Sequence, residues 1–237
     1  PEVESVGQPR RTPSHNPPEA PAMAQQASVP LLEVRALRCE RDERLLFEDV
    51  RFELRAGEVM QVAGPNGCGK TTMLRTIAGL SQRCTGRVMW RGEDIGRARY
   101  EFLRESLYLG HEAAINPALT PLESLRWHAS LWGGVRPLAI EEALARTGLA
   151  GYLHTPAQRL SAGQKRRIAL ARLLLSPATL WILDEPFTAI DLAGVGELES
   201  LIAAHAAAGG AVLLTTHHRL GLANGLRRLM LGQQMVD

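Results

Sequence analysis

The stretch Gly64-Pro65-Asn66-Gly67-Cys68-Gly69-Lys70-Thr71 matches the pattern of a phosphate-binding loop: two glycines with four residues between them, then a lysine and a hydroxyl side chain. Its flanks strengthen the reading. Glu58-Val59-Met60-Gln61-Val62-Ala63 reads as a strand leading in, and Lys70 to Leu80 as a helix leading out. Glycines let successive backbone N–H groups turn towards one anion, and the helix N-terminus adds its partial positive charge. Lys70 then reaches the outer phosphates of a nucleotide, Thr71 ligates Mg2+ and Thr72 assists at the inner phosphate.

Working outward, Thr179-Leu180-Trp181-Ile182-Leu183-Asp184-Glu185 is an apolar run that ends in two carboxylates. Such a run suits a strand buried on both faces of a parallel sheet, whose C-terminal edge faces the ligand crevice. Asp184 is the group to hold hydrated Mg2+, and Glu185 stands beside the attacking water as general base. Between the loop and this strand lies Leu160-Ser161-Ala162-Gly163-Gln164, which has no task within its own subunit. Its partner is a second copy of the nucleotide site.

With these three motifs in order, residues 31 to 237 resemble the ATP-binding cassette family of transport ATPases. The resemblance implies an α/β fold: a P-loop core of mostly parallel sheet flanked by helices, an N-terminal antiparallel β region, and a small helical subdomain at roughly residues 97–160. It also implies that Leu160 to Gln164 opens a helix whose N-terminus, through Ser161 and the Gly163 amide, contacts the γ-phosphate bound to the opposite subunit. Ala162 stands where a second glycine is usual, and Lys165, Arg166 and Arg167 continue the pattern, at least one of them as a solvated basic face. In the loop Thr188-Ala189-Ile190-Asp191, Asp191 is the residue implied to meet its counterpart across the dimer. The apolar run Ala211-Val212-Leu213-Leu214-Thr215-Thr216-His217 ends at the family's switch histidine, which in either protonation state can hydrogen-bond the γ-phosphate and hold Glu185 and water in line.

Two positions depart from the family pattern. Arg41 occupies the place of the aromatic that stacks on adenine, and a guanidinium can still stack through its plane. His111, after Leu107-Tyr108-Leu109-Gly110, replaces a glutamine that senses Mg2+ and water; it can donate to that water or lie aside.

Composition agrees with a cytosolic enzyme domain. At 237 residues and 45% apolar content the chain can bury one substantial core, and a net charge of +2 is too slight to argue for nucleic acid. Cys39, Cys68 and Cys84 contain no C-x-x-C pair, which suits a reducing compartment without a disulfide framework, and Cys68 reads as a small filler within the loop. No apolar run is long enough to cross a bilayer, so membrane association comes through a partner. Residues 1 to 30 are rich in Pro, Ser, Gln and Ala and read as a disordered tail, with Met23 a candidate natural start. The folded part begins at Leu31-Leu32-Glu33-Val34, and Val50 to Leu54 alternates as a strand.

After Pro121 the periodicity turns helical, with Leu122, Leu125, Trp127, Leu131 and Trp132 near one stripe and Leu138, Ile140, Leu144 and Leu149 on a following helix. The family's groove for a membrane-subunit helix gives Phe102, Tyr108, Trp127 and Trp132 either a docking or a core role. The wording between motifs, in Tyr108 to Ile115, Leu119 to Leu125 and Leu180 to Asp191, is similar to the cytochrome c maturation branch of the family. That similarity implies ATP and Mg2+ as ligands and a homodimer of cassettes, or a pair with a homologue. It also implies an integral membrane subunit of the maturation system (CcmB-like) and a peripheral place on the cytoplasmic face of the inner membrane. Its implied task is to power haem export or release. Other readings are a cassette energising a different transport, or a soluble cassette protein acting on ribosomes or nucleic acid.

Overall fold

The computed structural model describes residues 29–133, 136–221 and 226–232. The disordered-tail reading of residues 1–30 and the Met23 start therefore fall almost wholly outside the described residues, as does the side chain of Leu138. Two sheets organise the rest. Strands β1 (Leu32–Arg41) and β2 (Arg44–Leu54) form a hairpin. It turns on Asp42 and Glu43, both at positive φ, the two-residue geometry that matches the strands' own twist. On the other edge of β1, β4 (Cys84–Trp90) and β5 (Glu93–Asp94) complete an antiparallel sheet of order β2-β1-β4-β5.

The second sheet is parallel and has the order β6-β7-β8-β3-β9, formed by β3 (Val59–Ala63), β6 (Ser106–Leu109), β7 (Leu180–Asp184), β8 (Ala211–Thr215) and β9 (Leu226–Met230). All five residues of β7 and of β8 are buried, as continuous apolar runs require when helices cover both faces. One core cluster packs β1, β2 and β4 with helix α1 (Lys70–Ile77) on one face, through Leu32, Leu54, Met73, Leu74 and Ile77. The opposite face packs on α6 (Leu192–Ala207) and on α5 (Ala162–Leu175). Helix α1 stops three residues short of the expected Leu80. Gly79 takes a φ of 70°, and the amides of Gly79 and Leu80 fold back to the carbonyls of Thr76 and Arg75.

Helices α3 (Pro121–Leu131) and α4 (Pro137–Arg146) join α5 around a third cluster of Leu122, Leu125, Ile140, Leu144, Leu149 and Ile168. Thr120 and Glu123 form a capping box at the start of α3, and Pro121 takes the first helical position, where its missing N–H costs nothing. The expected single stripe on α3 splits. Leu122 and Leu125 are buried, whereas Trp127 is 57% and Leu131 63% exposed, because those two sit on the opposite side of a 3.6-residue turn. Trp132 is half-buried against the second cluster. Phe102 of α2 (Arg99–Glu105) is 1% exposed and meets Trp90 edge-on at 5.8 Å, which places it in the core and removes it from any docking face. Among the described residues no helix is long and apolar enough to cross a membrane.

Two tests follow from this packing. Leu144 is fully buried, so Leu144→Ala should lower unfolding stability by about 2–5 kcal/mol in urea titrations. His128 is held neutral, its pKa lowered to about 4 by burial and by the charge of Arg172. The unfolded imidazole takes a proton near pH 6.5 that the folded one refuses, so stability should fall as pH drops from about 6.5 to about 4. His128→Gln should flatten that slope in urea midpoints compared at pH 7 and pH 4.5.

Candidate active site

Gly64 and Gly69 set the shape of the loop between β3 and α1. A Cβ on Gly64, at φ 149°, would lie 2.5 Å from the Leu231 carbonyl oxygen; one on Gly69, at φ 97°, would strike the Phe47 ring at 2.9 Å. Gly69 is the left-handed N-cap of α1, so the helix begins at Lys70 with its first N–H groups turned to the loop. Lys70 Nζ donates to the carbonyl oxygens of Gly64 and Pro65 at 2.9 and 3.1 Å, which lays the ammonium across the loop. Cys68 is buried against Gly64 and Gly232, a filler position.

The end of β7 brings the acidic pair to the same place. Asp184 is 1% exposed; its Oδ1 accepts a hydrogen bond from Thr215 Oγ1 at 2.7 Å, and the same hydroxyl oxygen accepts from the Glu185 amide at 2.9 Å. Thr215 lies directly opposite Asp184 in the β7–β8 register, so one hydroxyl orients both acids. Glu185 has a φ of 48°, a strained conformation for a residue with a Cβ, and His217 Nε2 stands 3.6 Å from its Oε1. Burial, then the charge of Asp184, pushes the Tyr108 hydroxyl up to about 12.

These groups share one cleft of about 510 Å³. It is lined by Arg41 and Leu46 from the antiparallel sheet, Asn66, Gly67 and Gly69 to Thr72 from the loop and α1, and His111, Asp184, Glu185, Thr188 and His217 from the parallel sheet's edge. The second carboxylate oxygen of Asp184, Oδ2, is buried and has no hydrogen-bond partner among the described residues. With the Thr71 hydroxyl in the same cleft, this oxygen-only donor set fits a hard divalent cation that keeps part of its water shell.

Leu160 to Gln164 does not line that cleft. Ser161 is the N-cap of α5: its hydroxyl accepts from the Gln164 amide at 3.1 Å, and Gln164 Oε1 accepts from the Ser161 amide at 2.9 Å. The amides of Ala162 and Gly163, in the first helical turn, have no intrahelical acceptor by position. Gly163 lies so close to the Ala189 carbonyl that a Cβ would sit 3.0 Å from it. Asp191 caps α6 through the Gly194 amide at 3.0 Å and pairs with Arg167 at 2.6 Å. Its pKa is lowered by the Gly194 amide first and the Arg167 charge second.

Of the three basic residues Lys165, Arg166 and Arg167, Arg166 is not on a solvated face: it is 3% exposed. Its guanidinium donates to the carbonyl oxygens of Gly110 and His111 on one side, and of Asp184, Glu185 and Pro186 on the other. Burial lowers its pKa while the charges of Asp184 and Glu185 oppose that shift. Sequence reasoning missed this residue and Thr215, and also Gln61, whose side chain ties β3 to the Thr216 carbonyl and to Arg228. Only the strand order, which sets Thr215 beside Asp184, could have singled the threonine out.

Residues 47–188 match the family model described as ABC transporter. A cytochrome c biogenesis ATP-binding export protein, CcmA, from Hahella chejuensis is 51% identical over 86% of this chain and 97% of its own length. The protein of the same name from Pseudomonas fluorescens is 48% identical over 87% and 99%. A putative ABC transporter ATP-binding protein from Pyrococcus furiosus superposes with a TM-score of 0.72, at 27% identity, over 84% of this chain and 96% of that one. A dimeric ATP-binding cassette bound to ADP and Pi shares the fold, with a TM-score of 0.71 at 22% identity over 79% and 88%. A glycine-shaped phosphate loop, two acids at the end of a buried parallel strand and a family match spanning both leave one assignment: the chain belongs to the ABC transporter family of ATP-binding cassettes.

Proposed function

We propose that this chain is the ATP-hydrolysing subunit of a transporter that powers haem export or release for c-type cytochrome biogenesis. The chemistry rests on one observation: a single cleft gathers Lys70, Thr71, Asp184, Glu185 and His217, while Ser161 and Gly163 stand outside it with donors to spare. The haem assignment is supported by relatives at about half identity that carry the cytochrome c biogenesis export name.

Each step belongs to this chain's own groups. The loop amides and Lys70 hold the β- and γ-phosphates of ATP. Thr71 and Asp184 Oδ2 would hold Mg2+, and the ion would supply positive charge to offset the charge that develops on the phosphate. Glu185 accepts the proton of the attacking water, and His217 holds Glu185 and the γ-phosphate in line. Thr188 and His111 line the same cleft, and Arg41 offers its guanidinium plane to the base.

A second copy completes the site. The Ser161 hydroxyl oxygen is already occupied by the Gln164 amide, which leaves the hydroxyl hydrogen to donate, beside the unpaired Gly163 amide, to the γ-phosphate held by the partner. ATP thus contacts both cassettes and ADP loses that bridge, so hydrolysis changes the relative stability of the closed and open dimer. The membrane subunit of the maturation system, CcmB-like, receives the movement, and this chain sits peripherally on the cytoplasmic face of the inner membrane.

Two measurements test this. Glu185→Gln should preserve ATP binding, accumulate an ATP-dependent dimer in size-exclusion chromatography, and reduce kcat by about 10²–10⁴-fold; turnover near the original rate would remove Glu185 from the base role. In cells whose only copy carries Glu185→Gln, haem-stained gels should show loss of covalent c-type cytochromes while total haem persists. Normal cytochrome staining would discard the haem assignment and leave the ATPase intact.

A further inference from the structure

Beyond Leu109 and Leu183, the last paired residues of β6 and β7, the two strands part into the loops that carry His111 and Glu185. Past that fork β6 and β7 no longer pair with each other, and Arg166 bridges the carbonyl oxygens on the two sides. Nη1 donates to Gly110 at 2.7 Å and His111 at 3.3 Å; Nη2 donates to Glu185 at 2.8 Å and Asp184 at 3.3 Å; Nε donates to Pro186 at 3.4 Å. Among the described residues no carboxylate forms an ion pair with it. The hydrogen bonds of this buried cation go to backbone carbonyls, while Asp184 and Glu185 act on it through their charge alone, so its directional contacts all fix main-chain geometry.

That geometry concerns Glu185. Its amide is held by Thr215 Oγ1 and its carbonyl by Arg166, so the peptide groups on both sides of a residue at φ 48° are clamped. Arg166 also belongs to the helix that Ser161 caps, five residues further along. One rigid helical segment therefore has its start directed to the partner's nucleotide and its first side-chain brace fastened to the general base and His111 of its own site.

We propose that Arg166 is a positioning residue: it holds Glu185 and His111 in place for hydrolysis and carries displacement of the α5 N-terminus, on meeting the partner's γ-phosphate, into the chain's own cleft. The transmission half rests on the two-cassette reading above; the positioning half does not. A lysine could not substitute, since a single ammonium with three donors cannot span carbonyls on two separate loops as a planar fork of five does.

The experiment compares full-length R166K and R166M with the unaltered chain for kcat, KM for Mg·ATP, the Hill coefficient for ATP and melting temperature, and repeats dimerisation in the E185Q background. Misplacement of a catalytic group by about 1 Å costs on the order of 100-fold. The expected result is a kcat lowered about 100-fold with KM changed less than about threefold, a Hill coefficient falling towards 1, and an ATP-dependent dimer that still forms. Should R166M not fold, R166K, which keeps the charge, decides. A kcat within twofold of the unaltered chain in R166K overturns the proposal. So does a loss of kcat matched by an equal loss of ATP binding, which would make Arg166 a structural brace alone. An E185Q chain with Arg166 intact that never dimerises on ATP sinks the two-cassette reading and the transmission half together, while kcat in R166K still decides positioning.

Discussion

Two adjacent carboxylates stand at the end of a strand buried on both faces, and the rest of the site is arranged around the difficulty of keeping them there. Asp184 is almost wholly removed from water, and ionised groups in that position are costly unless they are hydrogen-bonded or near compensating charge. Thr215 satisfies one of its oxygens, Arg166 lies behind the strand end, and the other oxygen faces the cleft. The same threonine takes the Glu185 amide and the same arginine takes the Glu185 carbonyl. Two different environments thus arise from neighbouring acids: one buried oxygen with no partner among the described residues, and one carboxylate on a strained residue near His217.

Helix starts are the second recurring device. At Gly69 the cap is backbone only, in a left-handed conformation, and makes no side-chain hydrogen bond to the first N–H groups. At Ser161 and Asp191 the cap is a side chain, and each takes one amide while others of the first turn remain without acceptors. The first kind leaves the first-turn amides of α1 beside the cleft, where the proposed mechanism seats a phosphate. The second kind at Ser161 does not line the cleft, and the proposed mechanism gives its remaining donors to a second copy's nucleotide. The Arg167–Asp191 pair ties α5 to the start of α6 beside this face, with both side chains partly in water, and its worth lies in alignment more than in stability.

Local pattern made much of the fold legible. Glycine spacing, an apolar run ending in acids and a strand–loop–helix order concern residues close together in the chain, and each leaves a signature that survives without knowledge of neighbours. Helix α3 shows where that fails: Trp127 and Leu131 are as apolar as Leu122 and Leu125, yet only the surface offered by α4 and α5 decides which side is covered. Cys39 and Cys84, 45 residues apart by their numbers, face each other across β1 and β4 as free thiols, a proximity that no spacing rule reveals.

The sequence by itself determined the phosphate loop, the acidic strand end, the helix start at Ser161 and the class of α/β fold, because backbone sterics and hydrophobic burial act on contiguous residues. Tertiary structure alone decided that Thr215 serves two acids and that Arg166 is an internal brace. Their partners lie 18 to 56 residues away and are brought to hand by the order of parallel strands, so what each side chain does depends on what the packed sheet leaves unpaired.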